Sequence, residues 1–95
     1  MAVQLPAVLT LAEAADTLVR LQQAVARAPG DAAFEIDASA LGEFDTSAIA
    51  VLLEAQRAAI GRGLPFRLQA PPPKLTQLAE LYGVHELLGL RSAAA

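Results

Sequence analysis

The chain has 95 residues, a hydrophobic content of 55%, a formal net charge of −3 and no cysteine. This length suffices for one domain, because two cores would leave each half too small to fold alone, and nothing indicates a disulfide-stapled fold. The seven basic residues are scattered and no apolar run approaches the ~20 residues of a membrane span, so neither nucleic acid nor direct membrane insertion is expected.

Residues 3–10 predict a first strand, which Pro6 confines to a sheet edge or a bulge because proline lacks an N–H group. Thr10 and Glu13 have the spacing of a capping box, which predicts a helix that begins after Thr10. Pro29 and Gly30 stop this helix. The apolar residues on or near its predicted buried face are Leu11, Ala15, Leu18, Leu21 and Val25.

Residues 33–38 predict a second strand, and the loop after it leads into Phe44-Asp45-Thr46-Ser47. An acidic residue and two hydroxyl residues therefore stand where a loop becomes a helix. Because one N-cap needs one such residue, at least one hydroxyl is expected to face outward at the positive end of the helix dipole. This arrangement suits a docking surface or a phosphorylation site better than catalytic turnover.

The second helix is predicted from about Thr46 to Ile60, and Gly61 and Gly63 end it. Four apolar residues within a wedge of about 100° form its predicted buried face: Ile49, Leu52, Leu53 and Ile60. The opposite side is poor in charge for a solvated surface and holds Ala50, Val51, Glu54, Arg57 and Ala58. Together with the hydroxyl residues, this side is interpreted as one interaction face, on which small side chains permit close approach of a partner helix.

Residues 64–69 alternate in polarity and predict a third strand. Three prolines then open a third helix, which Gly83 ends and whose predicted buried stripe is Leu75, Leu78, Leu81 and Tyr82. Residues 84–90 add a short apolar element. This alternation predicts a single small α/β domain over residues 3–90, with a mostly parallel sheet and about three to four helices.

The order of these elements resembles the STAS domain (sulfate transporter and anti-sigma factor antagonist) over residues 3–90. The resemblance is carried by Ile36-Asp37-Ala38-Ser39 at a strand end, Phe44-Asp45-Thr46-Ser47 as the signature loop, and Leu64-Pro65-Phe66-Arg67-Leu68 as the next strand. It implies a STAS-like fold and a non-enzymatic binding role. STAS domains usually begin with a hairpin, whereas one strand is visible at the start of this sequence.

Two subtypes of this family compete. Anti-sigma factor antagonists typically carry Asp-Ser-Ser-Gly, and a partner serine kinase phosphorylates the second hydroxyl. On that resemblance Ser47 would be the phosphorylated residue, although Thr46 replaces the first serine and Ala48 the glycine.

The MlaB-type subunits of the phospholipid-trafficking ABC transporter, which maintains outer-membrane lipid asymmetry, typically carry Asp-Thr followed by small residues. Their leucine-rich third helix ends in a Leu-Tyr pair, which residues 75–82 resemble closely. This second resemblance implies that Thr46 is the important hydroxyl and that the partner is the transporter ATPase. Thr46 and Ser47 are both candidate phosphorylation sites, and a phosphate beside Asp45 would act as an off-switch for binding.

The first hypothesis is therefore a cytoplasmic STAS subunit that the ATPase holds at the inner face of the inner membrane. Its predicted partner-binding residues are Asp45, Thr46, Ser47, Ala50, Val51, Glu54 and Arg57. No catalytic residue, metal ligand or cofactor is predicted, because His85 is the lone histidine and neither a Gly-x-Ser-x-Gly motif nor a glycine-rich phosphate loop is present. The alternative is an anti-sigma factor antagonist, and a third hypothesis, of another class, is a small enzyme that uses Asp45 and Ser47.

Overall fold

A computed structural model describes residues 2–89 of the chain. Within this range the elements are β1 (Val3–Gln4), β2 (Val8–Leu9), α1 (Leu11–Arg27), β3 (Phe34–Asp37), β4 (Glu43–Phe44), α2 (Thr46–Gly61), β5 (Phe66–Gln69) and α3 (Pro73–Leu81). The strands form two small sheets, in the orders β1-β3-β5 and β2-β4, and every pairing is parallel. The predicted α/β class with parallel strands is confirmed. Residue 90, the last of the predicted domain, lies outside the described residues.

The N-terminal segment differs from the single predicted strand. It is divided into β1 and β2, which join different sheets, and Pro6 lies between them, where its missing N–H and fixed φ interrupt regular pairing. The partner of β2 is β4, at the end of what the sequence predicts to be a loop. Because Leu9 lies opposite Phe44, the next residues, Thr10 and Asp45, bring the beginnings of α1 and α2 together.

Helix α1 begins at Leu11 and ends at Arg27, where the sequence signals predict. The capping box is confirmed, since the Glu13 carboxylate accepts the N–H of Thr10 at 2.8 Å and its hydroxyl at 2.6 Å. The buried residues of α1 are Thr17, Leu21 and Val25.

The predicted burial of Leu11 and Ala15 is wrong, because both side chains are exposed, Leu11 by 77%. The apolar residues of α1 form two adjacent stripes. The stripe of Leu21 and Val25, together with the buried Thr17, faces the core. Leu11 and Ala15 belong to the second stripe, which borders α2.

Helix α2 spans Thr46–Gly61, within one residue of its predicted end. Ile49 and Leu52 are buried as predicted, but two other positions are reversed. Val51, expected on the outer side, is 3% exposed, whereas Ile60 is 61% exposed. Because α2 is the central helix and contacts both α1 and α3, its buried sector is wider than one face and includes the side toward α1.

Helix α3 begins in the predicted run of prolines and buries Leu75 fully and Leu78 in part. The predicted burial of Leu81 and Tyr82 is wrong, because both are exposed. The helix ends at Leu81, Tyr82 is its C-cap, and Gly83 follows with a positive φ of 71°. Neither Leu81 nor Tyr82 packs against the core. Turns follow through residue 89 and bury Leu88.

The reversed positions on α2 provide a matched test of the core. We expect Leu52→Ala to lower the free energy of unfolding by about 2–5 kcal/mol, because Leu52 is fully buried and its truncation leaves a cavity. Ile60→Ala removes a side chain from solvent and should change stability by less than about 0.5 kcal/mol. Urea unfolding followed by circular dichroism measures both, and equal losses would contradict the described packing of α2.

Candidate functional site

The Asp45 carboxylate joins the beginnings of two helices. As the N-cap of α2, it accepts the N–H of Ser47 on Oδ1 at 2.8 Å. Its second oxygen, Oδ2, accepts the N–H of Leu11, the first residue of α1, at 3.2 Å. The first N–H groups of a helix have no partner within the helix. One carboxylate therefore satisfies one such group from each helix and fixes α1 beside α2.

The same hydrogen bonds keep Asp45 ionised. The N–H of Ser47 and, to a smaller extent, the N–H of Leu11 lower the pKa of the Asp45 carboxyl below its ordinary value of 3.8, although partial desolvation opposes them. A carboxylate with both oxygens engaged and a lowered pKa is a poor general base. This geometry weighs against the hypothesis of a small enzyme that uses Asp45 and Ser47.

The two hydroxyl residues of the signature loop differ in exposure. Thr46 is exposed and borders an open depression of about 710 Å³ whose wall includes Phe44, Lys74 and Leu78. Ser47 borders the same depression but is half-buried, and it also lines the groove between α1 and α2. Thr46 is therefore the more accessible hydroxyl at the start of α2.

Two shallow apolar grooves flank the exposed start of α2. The α1 groove, of about 250 Å³, runs between α1 (Leu11, Ala15, Leu18) and α2 (Ser47, Ala50, Val51). The α3 groove, of about 320 Å³, lies between α2 (Thr46, Ile49, Ala50, Leu53) and the segment after α3 (Tyr82, Val84). Thr46 and Ala50 form the α2 ridge that separates the two grooves. The site is a low ridge of small side chains between apolar walls.

The predicted partner-binding residues differ in their exposure to solvent. Asp45, Thr46, Ala50 and Arg57 are exposed, Ser47 and Glu54 are half-buried, and Val51 is buried. The expectation that Val51 lies on the outer side of α2 is wrong, because it packs toward α1 and forms part of a groove wall. Arg57 and Glu54 form an ion pair with 3.6 Å between Nη1 and Oε1, and such exposed pairs contribute little stability.

Sequence reasoning missed two residues of this surface. Leu11 and Tyr82, both expected in the core, are exposed on the outer walls of the two grooves. Leu11 is the first residue of α1 and Tyr82 is the C-cap of α3. At the ends of helices, periodicity cannot tell a core position from a rim position, and this end location is the signal that could have found them.

A family model for the MlaB-type STAS domain matches residues 1–90. The chain belongs to the STAS domain family. The resemblance seen in the sequence is confirmed, and STAS domains are generally non-enzymatic binding domains. Among curated proteins, none matches the chain significantly. Within residues 2–89 there is no cluster of three or more His, Cys, Asp or Glu side chains that could hold a metal ion. No helix in that range is long and apolar enough to cross a membrane.

The double cap makes stability depend on pH in a defined direction. Because the folded pKa of Asp45 is lowered, its contribution is fully present above the unfolded value near 3.8 and is lost as pH falls through the folded pKa. Asp45→Ala should lower the unfolding free energy at pH 7, and the difference from wild type should shrink below pH 3.8. Urea unfolding between pH 2.5 and 7 measures this difference, and a difference independent of pH would contradict the ionised double cap.

Proposed function

We propose that this STAS domain is a non-enzymatic subunit that docks on the ATPase of a phospholipid-transport ABC transporter. Its role is to stabilise or regulate that ATPase at the cytoplasmic face of the inner membrane, in the maintenance of outer-membrane lipid asymmetry. The observation that carries the proposal is the α2 ridge, with Thr46 exposed at its start and an apolar groove on either side.

The shape of this surface suits a protein partner. Thr46 and Ala50 have small side chains, so a partner helix can approach the α2 backbone closely, while larger apolar side chains of the partner enter the two grooves. Burial of apolar surface is the main favourable contribution to such an association, and the lost translational and side-chain freedom offsets part of it. Leu11 and Tyr82 are 77% and 56% exposed and enlarge the apolar area on each side. The Thr46 hydroxyl supplies a directional contact that fixes the register.

Most charged groups lie around the apolar surface, and the one charged residue that lines a groove, Glu54, is paired with Arg57. Lys74 and Glu43 border the depression at the start of α2, and the Glu54–Arg57 ion pair lies further along the helix. An apolar centre with a polar rim is the usual anatomy of a protein interface. This distribution favours a protein docking site over a pocket for a charged small molecule.

Three observations favour the transporter hypothesis over the anti-sigma factor antagonist. Ser47, the residue that the antagonist hypothesis requires a kinase to reach, is half-buried and lines both the α1 groove and the open depression, whereas Thr46 is exposed. Ala48, which stands where antagonists typically have glycine, is fully buried and packs in the core. In addition, the Leu-Tyr pair that resembles the transporter subunits is exposed, and Tyr82 borders the α3 groove.

The direct test is affinity capture of the tagged protein from detergent-solubilised native cells, with mass spectrometry of the retained proteins. We expect an ABC ATPase together with its membrane permease. Retention of a soluble serine-kinase-like anti-sigma factor instead would contradict the proposal and support the antagonist alternative. Phosphate incorporation at Ser47 with that kinase and ATP would then be the decisive second measurement.

A negative charge on the ridge should disrupt docking. We expect Thr46→Glu to abolish co-purification with the ATPase while leaving the circular dichroism spectrum unchanged, because the added carboxylate lies between apolar grooves and beside Asp45. Gln23→Glu is the matched control, since it adds the same charge to an exposed position of α1 on the side away from the α1 groove. Normal co-purification of Thr46→Glu would refute the assignment of the ridge.

Apolar residues at the rims of the grooves should matter for binding and not for folding. We expect Leu11→Ala and Tyr82→Ala each to weaken the complex about tenfold, because each removes a large exposed side chain that the partner would bury. Ile60→Ala truncates a similarly exposed apolar side chain that borders neither groove and should leave affinity unchanged. Titration calorimetry with the captured ATPase measures the three variants, and equal effects would argue against a localised docking surface.

A further inference from the structure

Helices α1 and α2 lie side by side with the same polarity. Their beginnings are joined through Asp45, and their ends are joined through Arg62, the C-cap of α2. Parallel neighbouring helices place like ends of their dipoles together, which is electrostatically unfavourable. An anion between the two N-termini and a cation between the two C-termini each offset this repulsion.

The contact at the C-terminal end is made by one guanidinium group. Arg62 Nη1 donates to the carbonyl oxygen of Val25 and, at 2.8 Å, to that of Ala28, the C-cap of α1. The last carbonyl groups of a helix have no partner within the helix and carry partial negative charge. Arg62 therefore does at the end of the helix pair what Asp45 does at its beginning.

We propose that Asp45 and Arg62 are positioning residues that clamp α1 to α2 at opposite ends and thereby set the width of the α1 groove. The inference rests on the proposed function, because it assigns to this clamp control of the affinity for the ATPase. Its distinctive consequence is that docking depends on Arg62, which lies about 24 Å along α2 from Thr46 and lines neither groove.

The α1 groove is sensitive to the spacing of its two helices because its walls belong to different helices. Leu11, Ala15 and Leu18 come from α1, and Ala50 and Val51 come from α2. A radial gap of about 0.5–1 Å already loses a quarter to a half of the dispersion energy of an atomic contact. A small change in helix spacing therefore weakens every contact that an inserted partner side chain makes with both walls.

Arg62 provides the cleaner test of the clamp, because Asp45 itself lies in the candidate interface. The variants are Arg62→Ala, which removes the guanidinium, and Arg62→Lys, which keeps a cation near the same carbonyl groups. Arg27→Ala is the matched control: it removes an equal charge from the last turn of α1, where Arg27 is exposed. Arg62→Lys also keeps the proposal testable if Arg62→Ala fails to fold.

Two measurements are made on each variant. The first, independent of any partner, is the amide ¹H–¹⁵N spectrum of the isolated protein, read at Leu11, Leu18 and Ala50. The second is the dissociation constant for the purified ATPase recovered by affinity capture. We expect Arg62→Ala to shift the groove amides and to weaken binding about tenfold, Arg62→Lys to recover part of both, and Arg27→Ala to change neither.

The outcomes separate this inference from the proposed function. If wild-type protein does not bind the ATPase, the proposed function fails, and the spectra alone decide whether Arg62 positions the groove. If the ATPase binds wild type and Arg62→Ala equally well, or if Arg27→Ala weakens binding as much as Arg62→Ala, the clamp is refuted while the docking site stands. Unshifted groove amides in Arg62→Ala would also overturn it.

Discussion

The candidate site depends first on the parallel pairing of β2 with β4. Each strand has two residues and is followed directly by a helix cap, so the register that places Leu9 opposite Phe44 also places Thr10 beside Asp45. Only then can one carboxylate accept N–H groups from both α1 and α2. The α2 ridge and the α1 groove follow from this arrangement, because they form the outer surface of two helices whose N-termini are fixed side by side.

Features governed by local hydrogen bonding were predictable from the sequence, whereas those governed by distant pairing were not. Thr10 and Glu13 predict the start of α1, and Gly83 predicts the end of α3, because capping depends on residues only a few positions apart. The division of the first strand at Pro6 and the existence of β4 depend on contacts across more than thirty residues. Two-residue strands have no periodicity to detect.

The errors about burial have a common physical cause. Hydrophobic periodicity identifies side chains whose burial is favourable. It does not indicate whether the core of the domain or a partner protein buries them. Apolar character and spacing predict burial for Leu11 and Tyr82, but both border the grooves beside α2. Periodicity places Val51 on the outer side of α2, but packing against α1, which periodicity does not report, buries it. The predicted start of α2 at the signature loop is confirmed, because Asp45 caps that helix.

The double cap also bears on phosphorylation at this loop. A phosphate near a helix N-terminus is ordinarily stabilised by free N–H groups and by the dipole. Here the Asp45 carboxylate already accepts the N–H of Ser47 and that of Leu11, so a phosphate on Thr46 would meet an adjacent anion with fewer donors left to bind it. Such a group would also carry its charge onto a ridge between apolar grooves. Modification at Thr46 would therefore oppose the proposed docking without needing to change the fold, which is the simplest physical form of an off-switch.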